Sequence, residues 1–310
     1  MNCLIIGYGS IGERHAFILS EMGHSVHVES KRVVKDFSCY SSIKEALKNK
    51  VFDYAVISNE TYKHYESFTK LRELGYSGKL LIEKPVFLEP CPIPQSGFKN
   101  VFVAYNLRFH PVIQKLREFL DGKEIYSIQA YSGQYLPDWR PGTDYTKCYS
   151  ASKDMGGGVL RDLSHELDYI NWIACGWQRV TAIGGKFSDL QIDSDDSYVV
   201  LLEMKNCPIV SVQMNYLDRK ARREIIINIK GNSIKADLIL NTLEINGEVE
   251  EFEVERNLTY ILQHEKILSG HYDDVCTLEQ GTDILKLIHA AELATDKQVW
   301  INRSDLGEFS

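Results

Sequence analysis

Two places in this chain combine residue types that could do chemistry. The first is Gly7, Gly9 and Gly12 in the run LIIGYGSIG; the second is Asp162 and His165 in Met155–Asp168, MGGGVLRDLSHELD. Glycines at G-x-G-x-x-G spacing between a strand and a helix cradle a pyrophosphate. One permits the turn, one lets backbone approach the anion and one allows close helix–strand packing. A carboxylate and an imidazole three residues apart on a helix lie side by side, and an imidazole exchanges protons near neutral pH. Leu160, Leu163, Leu167, Ile170 and Ala174 follow the 3/4 rhythm of a buried stripe. One continuous helix therefore puts Asp162, His165, Tyr169 and Trp172 on its other side, as a cleft wall or, in the plainer reading, a surface pair.

The elements that position the glycines are those of a nucleotide fold. Asn2–Ile6 is a short apolar run, and Glu13–Met22 has a helical pattern. The turn and helix start, Gly7, Gly9, Ser10, Ile11 and Gly12, offer unpaired N–H groups and a positive dipole end. The pattern repeats: strand Ser25–Glu29, helix Ser42–Lys48, strand Tyr54–Ser58, helix Thr61–Leu74, strand Lys79–Ile82 and strand Val101–Ala104. Such alternation predicts a parallel, doubly wound sheet with ligands beyond the strand C-termini. Ser58, Asn59, His64, Glu83 and Lys84 then fall beside a dinucleotide, although a histidine like His64, taken singly, is more often a surface helix residue. Past the second strand, Glu29 could take a ribose 2′-hydroxyl, the NAD arrangement. Alternatively Ser30, Lys31 and Arg32 surround a 2′-phosphate, and two adjacent cations favour this NADP reading.

The glycine turn with His15 close behind, the strand ending before His64, and then Glu83-Lys84-Pro85 together resemble the Gfo/Idh/MocA family of nicotinamide-dependent oxidoreductases. The resemblance spans nearly the whole chain and includes Tyr105–Pro111, YNLRFHP, similar to that family's N-x-R-F-x-P segment. It implies a Rossmann domain over 1–106 and an α+β domain with an open, mostly antiparallel sheet over 107–310, the last helix packing back on the first. It implies that Lys84 holds the nicotinamide and polarises the reacting carbon–oxygen group, that His165 is the acid/base, and that Asp162 orients it. The family spaces that pair D-x-x-x-H; D-L-S-H here is one residue shorter and rotates His165 by about 100° relative to Asp162. Asp168 keeps the following interval and is allowed a structural role. The triple glycine reads as a close approach that lets this helix meet the cofactor. Phe87–Asn100 departs from the family, because Pro90, Pro92 and Pro94 cannot sustain its usual helix. By the same resemblance Asn106 and Arg108 face a cleft, Asn106 toward cofactor and Arg108 toward substrate. An interdomain ion pair is the alternative for Arg108.

Glu124–Tyr131 alternates as a strand and leads into GQYLPDWRPGTDYTKCYSASKD, rich in Tyr, Trp, Arg and Gly. Flat aromatic faces suit sugar rings, and a guanidinium suits a carboxylate or phosphate. Tyr135, Trp139, Arg140 and Tyr145 are the substrate candidates; an oligomer interface would use the same residue types. Alternating runs from Val180 to Val254, with a hairpin signal at Asn246-Gly247, predict an antiparallel sheet. The family's open sheet face implies a homodimer or homotetramer. This loop, the short D-L-S-H spacing and the compact segment after Pro85 resemble a subgroup of acidic nine-carbon (sialic- or legionaminic-type) surface-sugar pathways.

The 310 residues carry a net charge of −8 with no basic block, which argues against nucleic-acid binding. No apolar run approaches a membrane span and no cleavable leader is legible. Seven scattered cysteines without a C-x-x-C pair point to a reducing, cytoplasmic setting and away from a zinc site, so no metal is expected. The expected activity is reversible hydride transfer between NAD(P) and a secondary alcohol carbon of a sugar, sugar acid or nucleotide-linked sugar. A redox-neutral epimerase with a tightly held cofactor and a non-catalytic NAD(P)-binding sensor are the alternatives.

Overall fold

The computed structural model describes residues 1–93 and 100–307. The chain divides into two units: Met1–Phe109 with Arg256–Thr282, and His110–Glu255 with Asp283 onward.

The first unit begins with β1 (Asn2–Ile6), α1 (Ser10–Glu21), β2 (Ser25–Glu29), β3 (Ser38–Tyr40), α2 (Ile43–Asn49), β4 (Tyr54–Ile57), α3 (His64–Glu73), β5 (Lys79–Ile82) and β6 (Val101–Val103). These strands form a six-stranded sheet in the order β3-β2-β1-β4-β5-β6, every neighbour parallel. The central strands are buried on both faces, which is why they read as unbroken apolar runs. Cys3, Ile5, Val28, Tyr54, Val56, Leu81 and Phe102 pack from the sheet against Ala16 and Leu19 of α1. The expected helix over Thr61–Leu74 is a 3-10 turn at Thr61–Lys63 followed by α3. Residues 87–93 hold no regular element, as the prolines dictate; Pro94 lies outside the described residues.

The second unit comprises α4 (Pro111–Leu120), β7 (Ile125–Gly133), α5 (Val159–Asp162), α6 (His165–Ile173), β8 (Trp177–Gly185), β9 (Ser197–Met204), β10 (Cys207–Asn215), β11 (Arg222–Ile229), β12 (Asn232–Asp237), β13 (Thr242–Ile245) and β14 (Glu248–Glu251). With a last short strand, β15 (Ile301–Asn302), they make a nine-stranded sheet, β14-β13-β12-β11-β7-β10-β9-β8-β15. Only β7 and β10 run parallel; the other pairs are antiparallel. Asn246 and Gly247 both take positive φ in the β13–β14 turn, the backbone that Asn-Gly favours. Helices α4 and α5 pack on the sheet, while Tyr126, Ile183, Val199, Leu201 and Ile226 are exposed along β7, β8, β9 and β11.

Two further helices follow β14: α7 (Leu258–Ser269), which belongs to the first unit, and α8 (Leu278–Lys297), whose first residues also do. Ile267 of α7 enters the core of the first unit, and Phe102 of β6 bridges to Thr277 just before α8.

Candidate active site

The glycine turn is built by its packing. Gly7 has φ +91°, and a Cβ there would lie 2.5 Å from the Asn59 backbone; a Cβ on Gly12 would lie 2.0 Å from the Gly7 carbonyl oxygen. At Gly9 the same atom meets nothing within 4 Å, so protein atoms do not explain that glycine, whereas a ligand approaching the backbone does. No side chain caps α1, which leaves the first amides of Ser10 and Ile11 to an anion. The Ser58 hydroxyl donates to the Gly7 carbonyl at 3.0 Å, and the Asn59 amide donates to Ser67 Oγ at 2.8 Å. The Asn59 Oδ1 and Tyr8 hydroxyl oxygens are buried without a partner. An open glycine cradle with two orphaned polar atoms at the strand ends fits a dinucleotide.

Beyond β2, Lys31 and Arg32 are exposed, and the Arg32 guanidinium reaches the Tyr8 carbonyl at 3.5 Å. The Ser30 hydroxyl accepts the Arg32 amide at 3.0 Å. Burial raises the Glu29 carboxyl above its usual range, opposed by Lys31, Lys63 and the Gly7 amide, and the Glu29 main-chain carbonyl accepts the Gly7 amide at 3.0 Å.

At the end of β5, Glu83 accepts the Lys84 amide at 3.1 Å and pairs with His15 Nε2 at 2.8 Å. Lys84 precedes a cis bond to Pro85 and is part-buried. His64 is 1% exposed, its Nε2 3.1 Å from the Asn59 carbonyl and its Nδ1 3.1 Å from that of Pro85. Burial lowers its pKa. His64 is therefore not the surface helix residue of the plainer reading; its ring is set between the Asn59 and Pro85 carbonyls, and its one N–H bonds to one of them. Asn106 and Arg108 are also buried rather than lining open space. Asn106 donates to Thr259 Oγ1 and Arg108 to Gln280 Oε1, each at 2.7 Å, so both tie this segment to α7 and α8 within the first unit.

In the second unit the expected single helix is broken. Leu163, at φ −96° and ψ 26°, leaves helical geometry, so Asp162 ends α5 and His165 begins α6. The supposed polar face is mostly interior: Asp162 and Tyr169 are buried, and Trp172 is covered by the Arg117 guanidinium of α4 at 3.9 Å. His165, at the start of α6, is half-buried. The Tyr216 hydroxyl donates to Asp162 Oδ2 at 2.6 Å. Burial first, and then the Asp162 charge, pushes the hydroxyls of Tyr216 and Tyr149 well above the usual phenol range. The glycines before α5 serve packing: a Cβ on Gly157 would lie 2.1 Å from the Tyr149 carbonyl, and one on Gly158, where φ is +118°, 2.2 Å from Asp195 Oδ1. Asp195 caps α5 by accepting the Leu160 amide at 2.9 Å. Its carboxyl is pushed up to about 6, by burial first, with the charges of Glu292 and Asp162 adding. Asp168, left as structural in the sequence, is buried.

The aromatic loop folds around a small open depression lined by Leu136, Trp139, Arg140, Thr143, Tyr145 and Ser150, among others. Three of the four substrate candidates meet there. Trp139 stands edge-on to Tyr216 at 5.1 Å, Arg140 is exposed near Tyr149, and the Tyr145 hydroxyl accepts the Gln191 amide at 3.2 Å. Tyr135 turns aside and stacks under the Arg219 guanidinium at 3.5 Å. Trp139 and Asp162 thus share Tyr216 as a neighbour. Sequence reasoning missed Tyr149, Tyr216 and Asp195; the acidic pair Asp195-Asp196 before β9 was the one legible signal.

Family models agree with this architecture. Residues 1–93 match the oxidoreductase family with an NAD-binding Rossmann fold, and 113–248 match the GFO/IDH/MocA C-terminal domain. No curated protein matches by sequence. Among solved structures, levoglucosan dehydrogenase in complex with NADH and L-sorbose is similar at TM-score 0.83 and 14% identity, over 100% of this chain and 99% of that one. WlbA dehydrogenase from Bordetella pertussis, in complex with NADH and UDP-GlcNAcA, is similar at 0.79 and 16%, over 97% of each chain. UDP-N-acetylglucosamine 3-dehydrogenase GnnA from Acidithiobacillus ferrooxidans gives 0.76 and 18%, over 96% and 98%. With both of its domains matched by the family's models, this chain belongs to the GFO/IDH/MocA oxidoreductases.

Proposed function

We propose that the protein is an NAD(P)-dependent dehydrogenase that acts on a secondary alcohol carbon of an acidic sugar, sugar acid or nucleotide-linked sugar. The observation that carries this reading is the convergence of Trp139, Tyr145 and the exposed Arg140 around one open depression, in a chain that also holds the open glycine cradle. The aromatic rings offer apolar faces to a sugar, and Arg140 a fork for a carboxylate or phosphate. The similar structures that contain NADH together with L-sorbose or UDP-GlcNAcA support the class.

NAD(P), when bound, supplies the hydride acceptor or donor. Gly7, Gly9, Ser10, Ile11 and Gly12 bind its pyrophosphate through main-chain amides, with Ser58 and Asn59 bordering the turn. Lys84 stabilises negative charge on the substrate oxygen. His165 takes or returns the hydroxyl proton, a task for which imidazole is suited near neutrality. Asp162, buried against Tyr216, fixes the α5–α6 junction from which His165 starts. Replacing His165 with Asn should abolish sugar oxidation, read as NAD(P)H absorbance, while cofactor affinity stays within about twofold. Undiminished turnover in that variant refutes the assignment.

For the cofactor, Lys31 and Arg32 support NADP. The half-buried Glu29, which ends β2 beside the glycine turn, favours a second reading, NAD, with Glu29 on the ribose hydroxyl. Dissociation constants for NADPH and NADH decide: under the first reading NADPH binds at least tenfold tighter, and Lys31→Ala with Arg32→Ala erases the difference. The exposed row Ile183, Val199, Leu201 and Ile226 supports a homodimer or homotetramer through the sheet.

A further inference from the structure

A buried chain of hydrogen bonds runs through the first unit and ends at the Lys84 turn. The Tyr54 hydroxyl of β4 lies 3.0 Å from His264 Nδ1 on α7, His264 Nε2 lies 2.8 Å from His15 Nδ1 on α1, and His15 Nε2 lies 2.8 Å from Glu83 Oε1. The other Glu83 oxygen accepts the Lys84 amide. Tyr54, His15 and His264 are all 0% exposed. Tyr260 of α7 stands edge-on to the His15 ring at 5.5 Å and holds its plane.

Burial fixes the protonation of two members of this chain. It pushes the Tyr54 hydroxyl well above the phenol range, so the hydroxyl keeps its proton. It pushes His264 well below the imidazole range, so that ring is neutral and has one N–H for its contacts to the Tyr54 hydroxyl and to His15. At the other end His15 Nε2 meets a carboxylate, which accepts, so the chain ends on Glu83 whichever way the inner proton points.

Two imidazoles and a phenol are costly core residues where apolar side chains would pack as well, unless the polarity has a use. We propose that Tyr54, His264 and His15 are positioning residues that lock the Glu83 carboxylate, and through its bond to the Lys84 amide set the backbone from which the Lys84 side chain projects. This rests on the proposed role of Lys84 in turnover, but not in its structural half. The chain also makes α7, some 180 residues distant in sequence, a component of the Lys84 turn.

The test is a set of variants: His264→Leu, which removes the polar link between Tyr54 and His15; His264→Gln, which restores a side chain able to donate and accept; and Tyr54→Phe, which deletes one hydroxyl and keeps the ring. Two readouts are needed, hydrogen exchange of the Lys84 amide and steady-state kinetics. We expect Lys84 exchange to quicken about tenfold in His264→Leu, kcat to fall about tenfold with KM and cofactor affinity within twofold, and His264→Gln to recover most of both. If His264→Leu fails to fold, Tyr54→Phe carries the test, with about threefold changes in the same direction. Unchanged Lys84 exchange in a folded variant overturns the proposal, as does quickened exchange without loss of kcat. If the unmodified protein oxidises no sugar while exchange responds as expected, the dehydrogenase reading fails and the positioning chain stands.

Discussion

Removing the Tyr216 hydroxyl should weaken the second unit and the site together. In Tyr216→Phe the ring, fully buried beside Trp139, keeps its volume, so no cavity opens. What is lost is the 2.6 Å donor to Asp162 Oδ2, which leaves a 4%-exposed carboxylate with one donor fewer. A hydrogen bond to a charged group contributes about 1.5–3 kcal/mol, and in the interior the loss is near the upper end. For a unit of this size that corresponds to about 6–12 °C in melting temperature. Tyr169→Phe is the internal control: its hydroxyl is 3.4 Å from Glu166 Oε1, and Glu166 keeps its ion pair with Arg223 at 2.7 Å. That change should be worth less than about 1 kcal/mol. Urea unfolding followed by near-UV circular dichroism reads both. Because Asp162 closes α5 immediately before the break that starts α6, Tyr216→Phe should also lower kcat by about tenfold. A loss under about 0.5 kcal/mol, or one no larger than that of Tyr169→Phe, would refute the view that Tyr216 holds Asp162.

Gly12→Ala should abolish detectable cofactor binding by calorimetry, because its Cβ would sit 2.0 Å from the Gly7 carbonyl and open the turn; retention of native affinity would show that the turn is not the cradle. Burial lowers His110 from 6.5 to about 4, so the fold is fully supported above pH 6.5 and loses up to about 3 kcal/mol as pH falls toward 4. His110→Asn, which retains a cap for the Val112 amide, should flatten that acid limb. Asp195 has the opposite sign: raised from 3.8 to about 6, it favours the protonated form, and its contribution fades as pH rises through 6. Asp195→Asn should remove that fading in urea-unfolding curves taken from pH 4 to 7, and parallel curves for variant and parent would contradict the burial that raises it.

How much could be read in advance follows from which forces are local. The parallel sheet was legible because buried central strands must be apolar throughout and because Gly7 and Gly12 are required by backbone contacts a few residues away. Strand β3, three residues long and half exposed, left no periodic trace. The polar residues show the limit most clearly. Asn106, Arg108 and His64 look like ligands in sequence because polar side chains near strand ends usually meet solvent or substrate. Here each is buried by a partner that only the tertiary fold supplies: Thr259, Gln280 and the Asn59 and Pro85 carbonyls. His264 gave no signal at all, since nothing in a helical pattern on α7 announces a hydrogen bond to His15 on α1.

The stretch around His165 joins both cases. Its apolar rhythm was real, for Leu160, Leu163, Leu167, Ile170 and Ala174 are all buried, yet Asp162 and Tyr169, expected on the opposite side, are buried as well. A helix that breaks between Leu163 and Ser164 restarts with a new phase, so residues on either side no longer share one wheel. The one-residue-shorter spacing between Asp162 and His165 falls across this break. With the helix interrupted, side-chain direction at His165 is set by where α6 starts, and the angle computed for a continuous helix does not apply. The Asp162–Tyr216 bond therefore gains its importance from the break: a continuous helix would orient His165 through its own backbone, whereas here the end of α5 must be held by a side chain from beyond β10. This is why Asp162, the member of the pair that the spacing put in doubt, is the one whose partner is worth removing.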